Sequence, residues 1–247
     1  MDPLTSAAAS GMRSRIESLD MLANNIANAS APGFKADREF YNLYMSPEAA
    51  DSPEGTTPAT LPVIERQWTD FAQGVLTPTS NSLDLALNGK GFFVANSASG
   101  HIFTRNGSFR LSSQGELETS DGHAVLDTNG KPIVVDSSRP IDIAPDGMVS
   151  QDGQQIAQVN VVDFKDPSAL VKRGSNYFAV DLATISPDTA PQTEIIQGQL
   201  EAANSQPAES AVRLVNIMRQ FESLQKAMTI GNDMNRRAVD EVAKVTA

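Results

Sequence analysis

The chain has 247 residues, no cysteine and a net charge of −11. The missing cysteine excludes disulfides, thiolate metal sites and cysteine nucleophiles. Residues 1–35 carry three acids and three bases and residues 205–247 carry five and six, so the middle holds a net charge of −12, which argues against nucleic-acid binding and an anionic membrane surface.

The N-terminal segment is predicted to form a helix from about Pro3 to Ser30, within a helical domain assigned to residues 1–35. Pro3 suits a first helical turn, and Pro32-Gly33 is typical of a helix end. Alternating spacings of four and three place five apolar residues on one seam, as in a coiled coil. These residues are Met12, Ile16, Leu19, Ala23 and Ile26.

Residues 36–80 are predicted to be an extended linker. The stretch "MSPEAADSPEGTTPATLP", residues 45–62, is rich in proline, serine, threonine and acids and has no apolar period. Such a composition favours a mobile loop over a packed element.

Residues 81–196 are predicted to form an antiparallel β domain. Asn-Gly and Asp-Gly pairs recur along it, for example Asn88-Gly89, Asp121-Gly122 and Asp152-Gly153. These pairs supply the backbone angles of tight hairpin turns. The runs between them are short and apolar or alternating, which is typical of strands.

The C-terminal segment, residues 197–247, is predicted to form a second long helix that begins near Ser205, with Pro207 in its first turn. Its seam is spaced 3, 4, 3, 4 and consists of Leu214, Ile217, Phe221, Leu224 and Met228. The predicted fold class is therefore α+β: the N- and C-terminal helices pair as a coiled coil, and the antiparallel all-β domain is inserted between them. A helix pair that simply packs on the central domain is the alternative.

We find no catalytic constellation, no cofactor motif and no metal-ligand motif in the sequence. "NGKGFF", residues 88–93, has the glycines and lysine of a phosphate loop but not their spacing, and it leads into a strand. No run approaches 18 apolar residues, and the N-terminus lacks the basic start and apolar middle of a secretory signal. We therefore expect no catalytic, cofactor or metal site, no membrane insertion and no small-molecule substrate.

The stretch "LDMLANNIANASAPGFK", residues 19–35, closely resembles the signature of bacterial flagellar basal-body rod and hook proteins. In that pattern a helix ends in a repeated Ala-Asn, followed by a small polar turn and Gly-Phe-Lys. "SLDLALNGKGFFVA" (82–95) and "IFTRNGSFRLSSQGEL" (102–117) resemble strands of the family's central domain. "GQLEAANSQPAESAVRLVNIMRQFESLQKAM" (198–228) is similar to its C-terminal region.

This resemblance implies a structural protein that polymerises helically and transmits torque from the membrane motor to the hook. The implied partners are copies of the chain, other rod proteins and the flagellar type III export apparatus, and the implied location is the periplasmic rod, reached without a cleaved signal peptide. The length and single β domain fit a rod protein rather than the larger hook protein. "RQFE" at 219–222 and the short 45–65 linker favour the proximal over the distal rod position.

Three asparagines on the first helix, Asn24, Asn25 and Asn28, are poor choices for a helix interior. In an assembly, their amides could bridge helices of neighbouring copies and fix the register. The alternative is that they are exposed and only end the helix. The predicted subunit interface comprises the two seams, these asparagines, Gly33 and Phe34.

Two further expectations follow. The narrow seams bury too little surface alone, so the ends should become ordered on assembly, and proteolysis of the monomer should leave a fragment near residues 80–197.

A secreted adhesin or binding module is the alternative from another functional class, and it would require outward-facing aromatic residues in the β domain. Phe92, Phe93, Phe103 and Phe109 are predicted to be core instead.

Overall fold

A computed structural model of the chain describes residues 3–45, 60–174, 176–182, 185–190 and 192–245, without the side chains of residues 3–8, 40–45, 60–66 and 238–245. The chain divides into two compact units. We call residues 1–27, 37–68 and 206–247 the helix unit, and residues 28–36 and 69–205 the β unit. The proline-rich stretch 46–59 of the predicted linker lies outside the described residues.

Two long helices dominate the helix unit. Helix α1 runs over Pro3–Ala27, 25 residues, and helix α2 over Pro207–Val245, 39 residues. At 1.5 Å per residue they are about 38 and about 58 Å long. Helix α2 begins at the predicted proline, whereas α1 ends three residues before the predicted Ser30, because turn residues follow Ala27.

Two strands of the helix unit lie in the segment that we predicted to be an extended linker. Strand β1 covers Asp37–Met45 and β2 covers Thr60–Thr69, and they pair in a two-stranded sheet. β1 carries the sequence DREFYNLYM, whose aromatic residues favour a strand.

The β unit contains sixteen strands and one short 3₁₀ helix, Pro167–Ala169, among the described residues. The strands are β3 Leu76–Pro78, β4 Leu85–Asn88, β5 Phe92–Ser97, β6 Gly100–Thr104, β7 Phe109–Leu111, β8 Leu117–Thr119, β9 Ala124–Val125, β10 Asp142–Ile143, β11 Met148–Gln151, β12 Gln154–Gln158, β13 Val161–Asp163, β14 Val171–Arg173, β15 Tyr177–Ala179, β16 Asp188–Thr189, β17 Glu194–Gln197 and β18 Gln199–Glu201.

Every strand pairing with a described register in this unit is antiparallel, as predicted. The largest sheet has the order β14-β15-β6-β5-β9-β8-β7, to which β13 is added by pairing with β5 and β16 by pairing with β13. Strands β10-β11-β12 form a second sheet. The last two strands return to the first: β17 pairs with β4 and β18 with β3. This return places Glu201 opposite Leu76.

Two apolar clusters form the core of the β unit. One includes Leu85, Phe93, Phe109 and Val149, and the other includes Phe92, Phe103 and Phe178. The four phenylalanines named in the sequence analysis are at most 3% exposed, so their prediction as core is confirmed. None of these four phenylalanines is an outward-facing aromatic residue of the kind that a binding module would require.

The predicted fold class is confirmed at the level of two terminal helices flanking a central antiparallel β domain. In the described part of the chain, neither helix is long and apolar enough to cross a membrane.

Candidate functional site

The two helices pack on each other through a small apolar cluster of Met21, Leu22 and Ile217, with Leu19 and Leu214 against it. The buried face of α1 continues toward its N-terminus through Gly11, Ser14 and Ser18, and Ser18 is fully buried. Small side chains bring helix axes closer together. The helices therefore pair along a face that is apolar at one end and made of small residues at the other.

This face of α1 differs from the predicted seam by one residue. Ile16 is 47% exposed, Ala23 is exposed, and Met12, Leu19 and Ile26 are only partly buried. The residues of the predicted α1 seam are thus partly buried or exposed in the single chain, and their role in a subunit interface stays a prediction. On α2, Ile217 is buried, and Leu214, Phe221, Leu224 and Met228 are partly buried. Coiled-coil geometry stays a prediction.

The three asparagines of α1 have different surroundings. Asn25 is 4% exposed, and its amide makes two hydrogen bonds with the backbone of Asp37: Nδ2 donates to the carbonyl oxygen at 2.8 Å, and Oδ1 accepts from the amide at 3.0 Å. This pair fixes the end of α1 to the first residue of β1. Asn25 thus bonds within its own chain, and the predicted bridge between copies stays a prediction. Asn24 is exposed and Asn28 is partly buried.

The Gly33-Phe34-Lys35 part of the signature is buried in the β unit, and the predicted role of Gly33 and Phe34 in a subunit interface stays a prediction. Phe34 and Lys35 are 0% exposed. Gly33 has a φ of +69°, and a Cβ there would lie 2.3 Å from the backbone of Arg105. Both the left-handed conformation and the close approach therefore require glycine.

Lys35 ends in a buried ion cluster. Its Nζ lies 2.5 Å from Oε1 of Glu201 and donates to the carbonyl oxygen of Ala72 at 2.7 Å. Arg105 Nη1 lies 3.3 Å from the other oxygen of Glu201, Oε2. The side chains of Lys35, Glu201 and Arg105 are at most 4% exposed. One carboxylate is thus enclosed with two cations.

Burial governs the electrostatics of this cluster. It lowers the pKa of Lys35, and the carboxylate of Glu201 offsets part of that effect. Burial likewise lowers the pKa of Arg105, opposed by Glu201 and Asp163. Breaking a buried ion pair by removing one partner is strongly destabilising, because an uncompensated charge stays behind. Glu201 is therefore the member of the cluster whose loss we expect to matter most.

Backbone hydrogen bonds join the same two segments. Gly33 donates to the carbonyl oxygen of Glu201 at 2.7 Å, and Asn204 donates to that of Phe34 at 3.3 Å. Lys172 covers the loop from the other side: its Nζ donates to the carbonyl oxygen of Lys35 at 2.7 Å and lies 4.6 Å from the centre of the Phe34 ring. The N-terminal signature is thus held by residues near the other end of the chain.

This arrangement has the features of a structural connection. Its charged groups are paired and buried, and no group of three or more acidic or histidine residues in the described ranges could hold a metal ion. The expected absence of a cofactor site stays a prediction.

Three family models match the chain. "Flagella basal body rod protein" matches residues 6–35, "Flagellar hook protein FlgE/F/G D1 domain" residues 86–151, and "Flagellar basal body rod FlgEFG protein C-terminal" residues 196–241. The chain is also 33% identical to the flagellar basal-body rod protein FlgF of Caulobacter vibrioides, over 92% of both chains.

The chain belongs to the flagellar basal-body rod protein family. Other members that it resembles are FlgF of Mesorhizobium japonicum, 31% identical over 85% of both chains, and FlgG of Buchnera aphidicola, 32% identical over 91% of this chain and 94% of the relative. The family resemblance seen in the sequence is confirmed. The chain is a structural rod protein and not an enzyme.

The partners of the rod-family signature are not predictable from its own stretch of sequence. Gly33 and Phe34 are predicted interface residues, whereas Arg105, Glu201 and Asn204 have no predicted role. A signal existed for two of them, because "LEAANS" at 200–205 was quoted as a family feature. Arg105 lies in "IFTRNGSFRLSSQGEL" (102–117), which also resembles the family, but an arginine beside a turn resembles any surface residue, so its burial is not predictable from the sequence.

Proposed function

We propose that this rod protein polymerises helically through its terminal helices to form part of the drive shaft that transmits torque to the hook. The observation that carries the proposal is a second apolar face on α2. Val212, Val215 and Met218 are 61%, 47% and 48% exposed, whereas Ile217 between them is buried against α1. Ile230 and Met234, further along, are 60% and 66% exposed.

A monomer gains nothing from exposed apolar residues on both ends of a long helix. Large exposed apolar patches usually mark interaction sites. On helix α1, Ile16, Ala23 and Asn24 are also exposed. Neighbouring copies would cover these residues, and contacts between two different faces generate open helical arrays. In this proposal the predicted seam of α1 packs on other copies, while the seam of α2 packs on its own α1 as a coiled coil.

The finer assignments extend this proposal. The partners are copies of the chain and other flagellar rod proteins, and the location is the periplasmic rod of the basal body. Export proceeds through the flagellar type III apparatus without cleavage of the N-terminus. The proximal position is supported by Arg219-Gln220-Phe221-Glu222 and by the relatives named FlgF, while the distal rod position of FlgG relatives is the alternative.

Imaging of basal bodies from a strain that lacks this gene tests the proposal. A missing or truncated rod that returns on complementation with the intact chain is expected, and the level of the break gives the proximal or distal position. Complete rods in the deletion strain would rule the proposal out.

A further inference from the structure

The chain passes between the two units four times, after residues 27, 36, 68 and 205. Each passage is a covalent path along which force travels between the helices and the β domain. In a shaft that carries torque, the residues of the β unit next to these passages take up that force.

The side-chain amide of Asn204 ties three of these passages together on the β-unit side. Its Oδ1 accepts a hydrogen bond from the amide of Ala36 at 2.8 Å. Its Nδ2 donates to the carbonyl oxygens of Asp70 at 2.6 Å and Ala72 at 3.0 Å. Ala36 and Asp70 are themselves joined, because the Asp70 amide donates to the Ala36 carbonyl oxygen at 2.8 Å. Asn204 itself is the second-to-last residue before the fourth passage, which follows residue 205.

The buried ion cluster supports the same three segments from inside the β unit. Lys35 is next to Ala36, and its ammonium group donates to the carbonyl oxygen of Ala72, which also accepts from Asn204. The carboxylate of Glu201 forms the ion pair with Lys35 and also accepts a hydrogen bond from the amide of Gly74 at 2.8 Å. A Cβ at Gly74 would lie 2.0 Å from the carbonyl oxygen of Ala202, so the segments are in close contact.

We infer that Asn204 is the positioning residue of a mechanical joint, made with Lys35 and Glu201 inside the β unit, that holds the β-unit ends of three chain passages together and so carries load in the rotating rod. This inference rests on the proposed rod function. An asparagine suits the role because one amide offers an acceptor and two donors to three backbone groups at once. Without it, each segment keeps its own chain path but loses its link to the others.

A second amide in the same unit offers a matched control. Gln197 donates through Nε2 to the carbonyl oxygens of Ser82 and Ile141, both at 2.8 Å, and accepts through Oε1 from the amide of Ile143 at 3.2 Å. It makes the same kinds of bonds as Asn204 but ties no passage between the units. Asn204→Asp and Gln197→Glu both replace the amide by a carboxylate of similar shape and remove both donors.

The test places each variant in the deletion strain and measures swimming speed as the viscosity of the medium is raised, with basal bodies imaged in parallel. We expect rods to assemble with both variants. The speed of the Asn204→Asp strain should fall at least twofold more steeply with viscosity than that of the Gln197→Glu strain. The urea midpoints of the two purified variants should shift by similar amounts, since the local hydrogen-bond loss is similar.

If the swimming speeds of the two strains fall equally with viscosity, the inference that Asn204 positions a load-carrying joint is overturned. If Asn204→Asp does not fold, the pair Asn204→Ser and Gln197→Ser, which adds no charge, is compared in the same way, and equal curves there overturn it as well. If rods from cells that carry the unchanged gene do not contain this protein, the proposed function is overturned instead. Failure of the joint and failure of the proposed function are therefore distinguishable.

Discussion

Lys35 and Glu201 lie 166 positions apart in the chain, yet Nζ of Lys35 is 2.5 Å from Oε1 of Glu201, and both side chains are fully buried. The pair joins the N-terminal signature to the strand that precedes α2. Two cations share the carboxylate, because Arg105 approaches its other oxygen. The rod-family signature Gly-Phe-Lys is therefore half of a contact whose other half is in the C-terminal region.

The first prediction concerns Glu201→Gln. The substitution leaves Lys35 and Arg105 as buried cations without a carboxylate, so the free energy of unfolding should fall by about 3–5 kcal/mol. Glu118→Gln is the control, since Glu118 pairs with Arg110, whose side chain is 58% exposed, and such pairs contribute about 0–1 kcal/mol. Urea unfolding of both purified variants measures the difference. Equal midpoints would show that the buried cluster contributes no more than a surface pair.

The second prediction separates the two reasons for glycine at position 33. Gly33→Ala introduces both an unfavourable φ and a clash with the backbone of Arg105, while Gly130→Ala has a similar φ of +74° and nothing within 4 Å of its Cβ. The left-handed conformation alone costs about 1–2 kcal/mol for a residue with a Cβ. Gly33→Ala should therefore lower the thermal midpoint clearly more than Gly130→Ala. Similar shifts would indicate that the Arg105 backbone yields without cost.

The sequence predicted the helices and the β domain because their signals are local. Tight turns separate the strands, and two long apolar periods mark the helices. The site was less predictable, because it depends on a contact between residues 35 and 201 and on burial of charges, and a local pattern contains neither. The buried face of α1 was less predictable for a similar reason: Ser18 and Gly11 are buried although neither is a large apolar residue, and a search for apolar residues passes over them.

The third prediction concerns alkaline pH. Burial and a hydrogen bond to Asp121, at 2.6 Å, raise the pKa of Tyr177 to about 12. The folded β unit thus holds this proton more tightly than the unfolded chain, in which a tyrosine titrates near 10. The contribution of Tyr177 to stability is present below pH 10 and is lost as the pH rises from 10 to about 12.

Phenolate absorbance provides the measurement, because the chain has only three tyrosines. One of them should titrate near pH 12 in the folded protein, and Tyr177→Phe should remove that step. The prediction is wrong if the titration of the variant, scaled for two tyrosines, has the same shape as that of the unchanged chain.

The fourth prediction concerns the isolated subunit and refines the expected protected fragment near residues 80–197. Hydrogen exchange in a dilute monomer should be slow at Gly33, whose amide donates to Glu201, as it is at the β-core amide of Leu117, which donates to Ile133. The amides of α2 should exchange faster, since a helix with apolar residues exposed on one side gains most of its stability from packing. If the α2 amides of the unassembled monomer exchange as slowly as the Leu117 amide, this prediction is wrong.

The last prediction tests the two roles of asparagine on α1. Asn25→Leu removes both hydrogen bonds to Asp37 and leaves the Asp37 amide without this buried acceptor, so it should destabilise the purified chain by about 1–3 kcal/mol. Asn24 is exposed in the single chain, so Asn24→Leu should change the stability of the monomer by less than about 0.5 kcal/mol.

If the Asn24 amide contacts a neighbouring copy in the rod, Asn24→Leu should still impair motility while secretion stays intact. Normal swimming with Asn24→Leu would show that this amide has no role between copies, and a stability loss equal to that of Asn25→Leu would show that its role lies within the chain.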